Sequence, residues 1–83
     1  MVLDKLRRAK KKSIGTKQTL KAVQKGIVHQ VFVAQDAEPH VVKYLLESCQ
    51  EHDVPYMYVD DMKTLGRACG IQVGAAAAAV IED

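Results

Sequence analysis

The chain has 83 residues, of which 48% are hydrophobic and 27% charged, and its formal net charge is +2 at pH 7. This length predicts one small domain, residues 1–83, with no room for a second. Two cysteines, Cys49 and Cys69, are too few for a disulfide framework, so we expect a reducing compartment, the cytoplasm. We expect neither secretion nor contact with a membrane, because the sequence has no signal peptide and no apolar run of about 18 to 20 residues.

Positive charge is concentrated in the first third of the chain. Residues 1–26 carry nine Lys and Arg against one acid, a net charge of +8, whereas residues 27–83 have a net charge of −6. A field divided in this way attracts a polyanion and also orients it, and salt weakens the effect. The class of partner that this distribution favours is nucleic acid.

Two helices are predicted in the basic part. Residues 2–12 have a short apolar side formed by Val2, Leu3, Leu6 and Ala9. The lysines at 10–12 allow two interpretations, a solvated run or, because they are near Gly15, a functional basic cluster. Residues 16–25 separate into two sides, and Gly26 suits the C-cap. The apolar side of this second helix is formed by Leu20, Val23 and Ile27; the polar side is formed by Lys17, Gln18, Lys21, Gln24 and Lys25.

The second helix begins in the segment GTKQTLK, residues 15–21. A helix start offers unpaired N–H groups and a partial positive charge, and a glycine there allows a phosphate to approach the backbone. Lys17 and Lys21 place like charges one turn apart, a repulsion that a bound anion would relieve. The segment lacks the G-x-x-x-x-G-K-[ST] pattern, so it does not predict nucleotide hydrolysis.

The middle of the chain alternates between strand and helix patterns. Residues 29–35 and 54–59 are predicted as strands, the second with Pro55 at its start. Residues 36–53 are predicted as a helix, because Asp36 and Glu38 suit a helix N-terminus and Pro39 its first turn. The apolar stripe of this helix is expected to be Val41, Val42, Leu45, Leu46 and Cys49. Asp60 and Asp61 open a further helix that carries Met62, Leu65 and Cys69 and ends at Gly70.

Residues 73–81 (VGAAAAAVI) are ambiguous between helix and strand. Alanine favours a helix by propensity, whereas the βαβ context favours a central strand whose small side chains allow helices to pack closely. We predict a strand, because Gly70 and Gly74 bracket a turn and Val80 and Ile81 are β formers. The whole pattern predicts an α/β fold with helices on both faces of a mixed or parallel sheet.

Glycines also punctuate the predicted last helix and the segment after it. Gly66 is interpreted as a site of tight packing, Gly70 as a helix C-cap and Gly74 as a turn. Ile71 and Val73, between the last two glycines, allow two interpretations. Both are buried where a strand begins, or both are exposed and able to pack on a sugar or an extruded base.

Other chemistry is weakly supported. His40, Cys49 and His52 lack further ligands at zinc-type spacing, so no metal site is predicted. Helix capping explains the pair Asp60 and Asp61 better than acid–base catalysis does. Because no nucleophile can be matched with an oriented base, the sequence does not predict an enzyme.

Two segments, GTKQTLK at 15–21 and LGRACGIQVGAAA at 65–77, resemble the kink-turn RNA-binding ribosomal protein family, and within it the short bacterial YbxF-like members. The similarity extends over nearly the whole chain and includes AQDAEP before the middle helix. The resemblance implies a three-layer α/β/α sandwich with a small mixed sheet, which grips a bent RNA helix containing tandem sheared G·A pairs. It implies no catalysis and no cofactor.

The resemblance also assigns roles to residues. The family signature G-x-N-E-x-x-K corresponds to Gly15, Lys17, Gln18 and Lys21, so Lys17 and Gln18 replace an Asn-Glu pair. The neutral amide of Gln18 is a weaker acceptor than a carboxylate. The positions implied to contact RNA are Gly15, Thr16, Lys17, Gln18, Lys21, Arg67, Ile71, Gln72, Val73 and Gly74.

The function predicted is recognition of kink-turn RNA, either ribosomal or messenger, by a ribosomal or ribosome-associated protein that needs no second subunit. The alternative is a protein interaction module of the translation machinery, in which an exposed loop of residues 71–73 contacts another protein. A comparison of the affinities for kink-turn RNA and for a plain duplex of matched length distinguishes the two hypotheses. A protein interaction module is not expected to bind the two RNAs differently.

Overall fold

A computed structural model describes residues 3–82 as four helices and four strands. In chain order the elements are α1 (Asp4–Arg8), β1 (Lys11–Ile14), α2 (Thr16–Gln24), β2 (Gln30–Ala34), α3 (Pro39–Glu51), β3 (Tyr56–Val59), α4 (Met62–Cys69) and β4 (Ala77–Glu82). None of the helices within this part of the chain is long and apolar enough to cross a membrane.

The four strands form one mixed sheet in the order β1-β4-β2-β3. β4 is antiparallel to both of its neighbours, and β2 is parallel to β3 across the connection through α3. The helices form two outer layers, since α2 packs on α3 and α1 packs on α4. The predicted three-layer α/β/α sandwich with a small mixed sheet is therefore confirmed.

The alanine-rich segment forms the central strand, as predicted. Ala77, Ala78, Ala79 and Val80 are fully buried between the two helical layers. A methyl side chain on a central strand lets helices approach the sheet closely. Sheet pairing on both sides of β4 outweighs the helix propensity of alanine.

The helix predicted over residues 2–12 is wrong in its second half. α1 ends at Arg8, and Lys11 and Lys12 belong to β1. The cause is tertiary, because β1 satisfies its backbone against β4, with Lys12 opposite Val80. Nor is the basic run simply solvated, since the Lys12 Nζ donates to the Leu6 carbonyl over 3.2 Å. Val2, predicted on the apolar side, lies outside the described residues.

Two apolar positions were also predicted wrongly. Ile27 is 43% exposed, because α2 ends at Gln24 and Gly26, with φ of +73°, turns the chain away from the helix. Val41 is 41% exposed on the outer side of α3. Leu45 and Leu65, which were predicted as apolar, are fully buried and form the centre of the core together with Phe32.

Candidate nucleic-acid interface

Gly15 joins the end of β1 to the start of α2. Its φ of +97° and ψ of 152° lie in a region that essentially only glycine adopts, and a Cβ there would meet no atom within 4 Å. Its N–H donates to the Ala77 carbonyl over 2.8 Å, and its carbonyl accepts from the Thr19 N–H over 3.0 Å. The N–H groups of the first turn of α2 have no intrahelical acceptor, and no side chain of residues 3–82 caps them.

We call residues 15–21 the helix-start segment. Its Lys17, Gln18 and Lys21 are exposed, whereas Thr19 is fully buried. The Thr19 hydroxyl lies 3.0 Å from the Ser13 hydroxyl on β1, which fixes the rotation of α2 on the sheet. The polar side of α2 therefore faces solvent, as the sequence predicted.

A shallow groove runs between α2 and the edge strand β1. Four of the polar side chains that line it are Gln18, Lys21, Lys25 and Lys11. With Lys12, which also lines the groove, four lysines on its two walls form a positive surface that continues away from the helix start. This surface can attract phosphates without any base-specific contact.

The second predicted segment, residues 71–74, is called the apolar loop here. It rests on α4, where the Ile71 N–H donates to the Gly66 carbonyl over 3.1 Å. A Cβ on Gly66 would collide with the Val73 carbonyl, and one on Gly74 would lie 3.0 Å from the Met62 Cβ. The predicted tight packing at Gly66 is confirmed, as is the C-cap at Gly70, where φ is +82°.

The two alternatives for Ile71 and Val73 are each half right. Val73 is 70% exposed, whereas Ile71 is half-buried and packs against the core. Gln72 and Gly74 are also exposed. The loop thus presents one branched apolar side chain to solvent and uses the other as an anchor.

Strand pairing brings the two segments to the same end of the sheet. Ile14 pairs with Ala78, and at the next position the Gly15 N–H donates a hydrogen bond to the Ala77 carbonyl. The apolar loop leads into Ala77, so it lies beside the start of α2. Arg67 is exposed on α4, and its carbonyl accepts from the Gly70 N–H over 3.0 Å, directly before the loop. All ten positions implied by the resemblance lie in or next to these two segments.

Asp36 is a positioning residue that the sequence did not reveal. It was predicted to start the middle helix, but α3 begins only at Pro39. Its Oδ1 instead accepts from the Met62 N–H over 2.8 Å, at the start of α4. The Met62 carbonyl in turn accepts from the Ala75 N–H over 3.0 Å, at the end of the apolar loop. Nothing along the chain links Asp36 to Met62, because they meet only through the fold.

Asp61 also holds the start of α4. Its Oδ1 accepts from the Thr64 N–H over 2.6 Å, which confirms the predicted helix cap. This hydrogen bond lowers the pKa of the Asp61 carboxyl below its ordinary value. Two carboxylates therefore fix the helix on which the apolar loop rests.

The histidines and cysteines are separate from one another. His40 lies 3.3 Å from Glu38, and His52 Nδ1 donates to the Ser48 carbonyl over 2.9 Å. Cys49 is fully buried, and burial raises the pKa of its thiol. Within residues 3–82, no three such side chains are grouped so that they could hold a metal ion.

Known proteins resemble this chain over its full length. The model of the Ribosomal protein L7Ae/L30e/S12e/Gadd45 family matches residues 1–83. An RNA-binding protein of Caldanaerobacter subterraneus subsp. tengcongensis is 56% identical over 69 residues, which cover 83% of this chain and 84% of that protein. The RNA-binding protein YbxF of Geobacillus stearothermophilus is 44% identical over 81 residues, which cover 98% and 99%.

The fold is shared with a solved structure, the 15.5 kD RNA-binding protein of Giardia lamblia. It aligns with a TM-score of 0.89 and 28% identity, over 99% of this chain and 72% of that chain. These relatives are described as RNA-binding proteins, which agrees with the prediction of an RNA-binding protein without catalytic activity. The chain belongs to the Ribosomal protein L7Ae/L30e/S12e/Gadd45 family.

Proposed function

We propose that this chain is an RNA-binding protein whose target is kink-turn RNA, a sharply bent helix with tandem sheared G·A pairs. The proposal depends on one observation, the hydrogen bond from the Gly15 N–H to the carbonyl of Ala77, the first residue of β4, which brings the helix-start segment to the end of the sheet where the apolar loop enters β4. A bent RNA offers two surfaces at once, a phosphate-lined groove and an unstacked nucleotide. The two segments have the chemistry for one surface each.

The helix-start segment suits the phosphates and the G·A step. Its uncapped N–H groups and Lys21 are donors for phosphate oxygens. Lys17 can donate to guanine O6 or N7, and the Gln18 amide oxygen can accept from guanine N–H groups. Both side chains are exposed on α2, so neither has to move out of the core to reach RNA.

The apolar loop suits an extruded nucleotide. Val73 offers a solvent-facing aliphatic surface, and a sugar or base that covers it removes apolar area from water, which favours binding. The backbone beneath it is fixed by Gly66 and Met62, so little conformational entropy is lost on binding. Recognition of this kind reads the shape of the RNA more than its sequence.

The test compares two RNAs by fluorescence anisotropy over a range of salt concentrations. One RNA contains a kink-turn, and the other is a matched duplex in which Watson–Crick pairs replace the G·A pairs. We expect the kink-turn to bind at least about tenfold more tightly, a difference of about 1.4 kcal/mol. Equal affinities would contradict the proposal and favour the alternative, a protein interaction module using residues 71–73.

We further propose that the chain acts in the cytoplasm on ribosomal or messenger RNA. The buried free thiols of Cys49 and Cys69 fit a reducing compartment. Sedimentation of cell extract through a sucrose gradient, with the protein followed by antibody, tests the association with ribosomes. Migration with ribosomal particles is expected, and migration only at the top of the gradient would contradict it.

A further inference from the structure

The two edges of the sheet differ in how open they are to another strand. β1 carries Lys11 and Lys12, and its pairing with β4 shifts register between these two residues. Charge and irregularity are both features that prevent an edge from recruiting a further strand. β3, at the opposite edge, reads Tyr-Met-Tyr-Val and has no charged residue.

The free backbone groups of β3 belong to its two tyrosines. Pro55 and Val59 accept hydrogen bonds from the N–H groups of Val31 and Gln35, over 3.0 and 2.8 Å. Because alternate residues of a strand direct their backbone groups to opposite edges, Tyr56 and Tyr58 direct theirs away from β2. Each offers one N–H and one carbonyl to an additional strand.

An apolar groove lies beside this edge, between β3 and α3. It has a volume of about 540 Å³, and its apolar lining comprises Pro39, Val42, Leu46 and Tyr58. Tyr58 is 52% exposed, and its ring stands edge-on to that of Tyr56, with 6.3 Å between centroids. An added strand would therefore find backbone partners and an apolar surface together.

The charges around the groove favour a basic partner. Asp53 precedes β3 and Asp60 follows it, and both are exposed. Glu47 and Lys43 on α3 both line the groove and offset each other in charge, so the carboxylates that flank β3 set the sign of the field there. A peptide lying along β3 would thus have an acidic side chain near each of its ends. The same carboxylates would repel those of a second copy of this chain if it paired along the same edge.

We propose that β3 and the groove beside it dock an extended peptide of another protein, with apolar residues at its centre and Lys or Arg at both ends. The peptide pairs with Tyr56–Val59 as a fifth strand, and the apolar side chains on one of its faces enter the groove. A four-residue strand spans about 13 Å, so a peptide of about six to eight residues is long enough to reach from Asp53 to Asp60. β1, which leads into the helix-start segment, is the sheet edge opposite to β3, so a peptide paired with β3 leaves that segment uncovered.

The probe is a library of random decapeptides displayed on phage. Peptides are selected on the wild-type protein, and the most enriched sequence is synthesised and measured by anisotropy. We expect enriched sequences to have alternating apolar residues, basic ends and no proline in the centre. No enrichment, or enrichment of acidic sequences, would overturn the proposal.

Two matched variants localise the binding. Tyr58→Lys places a charge on the pairing edge, and we expect the synthetic peptide to bind about tenfold more weakly. Tyr44→Lys makes the same change at a tyrosine that is 67% exposed on α3 but does not line this groove, and we expect unchanged binding. Equal effects of the two variants would overturn the proposal. Amide NMR spectra verify that both variants keep the fold.

NMR also separates the possible occupants. With the peptide, the amides of Tyr56 and Tyr58 should shift and become protected from hydrogen exchange, in the presence or absence of kink-turn RNA. Shifts of these amides that depend only on protein concentration would overturn the proposal in favour of a second copy. Shifts caused by kink-turn RNA alone would overturn it in favour of an extended RNA surface.

Discussion

The helix-start segment and the apolar loop lie side by side, yet they are built in opposite ways. The first exposes lysines and uncapped N–H groups on the rigid end of a helix. The second exposes one apolar side chain, Val73, on a loop whose position depends on backbone contacts with α4. A helix alone can supply charge, whereas an exposed apolar side chain on a loop needs packing contacts on the inner side of the loop to hold it in position.

This difference separates two properties of RNA binding. Loss of a lysine should lower the affinity for every RNA and make the affinity less dependent on salt, because lysine contacts are with phosphates. Loss of the packing contacts that hold the apolar loop should lower the affinity for the bent RNA in particular, since only a bent RNA presents an extruded nucleotide. Variants of the two segments are therefore expected to fall into two classes.

The largest effect is expected from Gly66→Ala. The new Cβ would collide with the Val73 carbonyl, so either the loop moves or α4 shifts. We expect the free energy of unfolding to fall by about 2 kcal/mol, a typical cost of overpacking. Affinity for kink-turn RNA should fall about thirtyfold, whereas affinity for duplex RNA should change little. Urea unfolding and anisotropy measure the two quantities.

Gly26→Ala is the matched control for that variant. Gly26 has φ of +73° and open space around the Cβ position, far from the apolar loop. We expect a loss of stability of about 1 kcal/mol from the backbone conformation alone, with RNA binding unchanged in the folded protein. If the two glycine variants lose kink-turn binding equally, the supporting role of Gly66 is wrong.

Lys21→Ala tests the opposite class. Removing one phosphate contact should lower the affinities for kink-turn and duplex RNA by the same factor, about fivefold. It should also reduce the slope of log K against log salt by about one. Lys43→Ala, an exposed lysine on α3, controls for the change in net charge. A selective loss of kink-turn binding in Lys21→Ala would contradict the division of labour.

Gln18 is expected to contribute selectivity with little affinity. Gln18→Ala should reduce the preference for kink-turn over duplex about threefold, because an acceptor for guanine N–H groups is lost. Gln18→Glu should raise the preference, because a charged acceptor makes a stronger hydrogen bond. Anisotropy with both RNAs measures the ratio, and full discrimination by the alanine variant would refute the role.

The smallest effect concerns pH and the support of α4. The lowered pKa of Asp61 means that its carboxylate stabilises the fold above its ordinary value of 3.8, and that this contribution disappears as the pH falls through the lower, folded value. Asp61→Asn keeps a capping oxygen but does not titrate. Thermal melts between neutral pH and about pH 3 should therefore show a slightly smaller acid destabilisation in the variant. An identical decline in both proteins would contradict this contribution.

Much of the fold could be predicted because local patterns agree with it. α2 has a clear apolar side, and Asp61 and Gly70 mark both ends of α4. The strand at Ala77–Glu82 could be chosen against its own helix propensity because β2, α3 and β3 already predicted a sheet that needed it. Here the context of neighbouring elements carried more information than the residues themselves.

The rest depended on contacts between distant residues. β1 exists because β4 offers it a partner, and Lys11 and Lys12 show no strand pattern of their own. The hydrogen bond between Asp36 and Met62 joins residues that are 26 positions apart. The chain could suggest that both predicted segments bind one partner, but only β1 pairing with β4 explains how they become neighbours.

If the helix-start segment and the apolar loop together hold a bent RNA, the bend of the bound RNA can be measured. Kink-turn RNA labelled at both ends is titrated with the protein in buffer without Mg²⁺, and energy transfer between the labels reports the end-to-end distance. We expect the wild-type protein to increase energy transfer in the kink-turn RNA, because binding selects the bent form. The matched duplex should show no increase. Saturable binding of the kink-turn RNA without any change in energy transfer would contradict selection of the bent form.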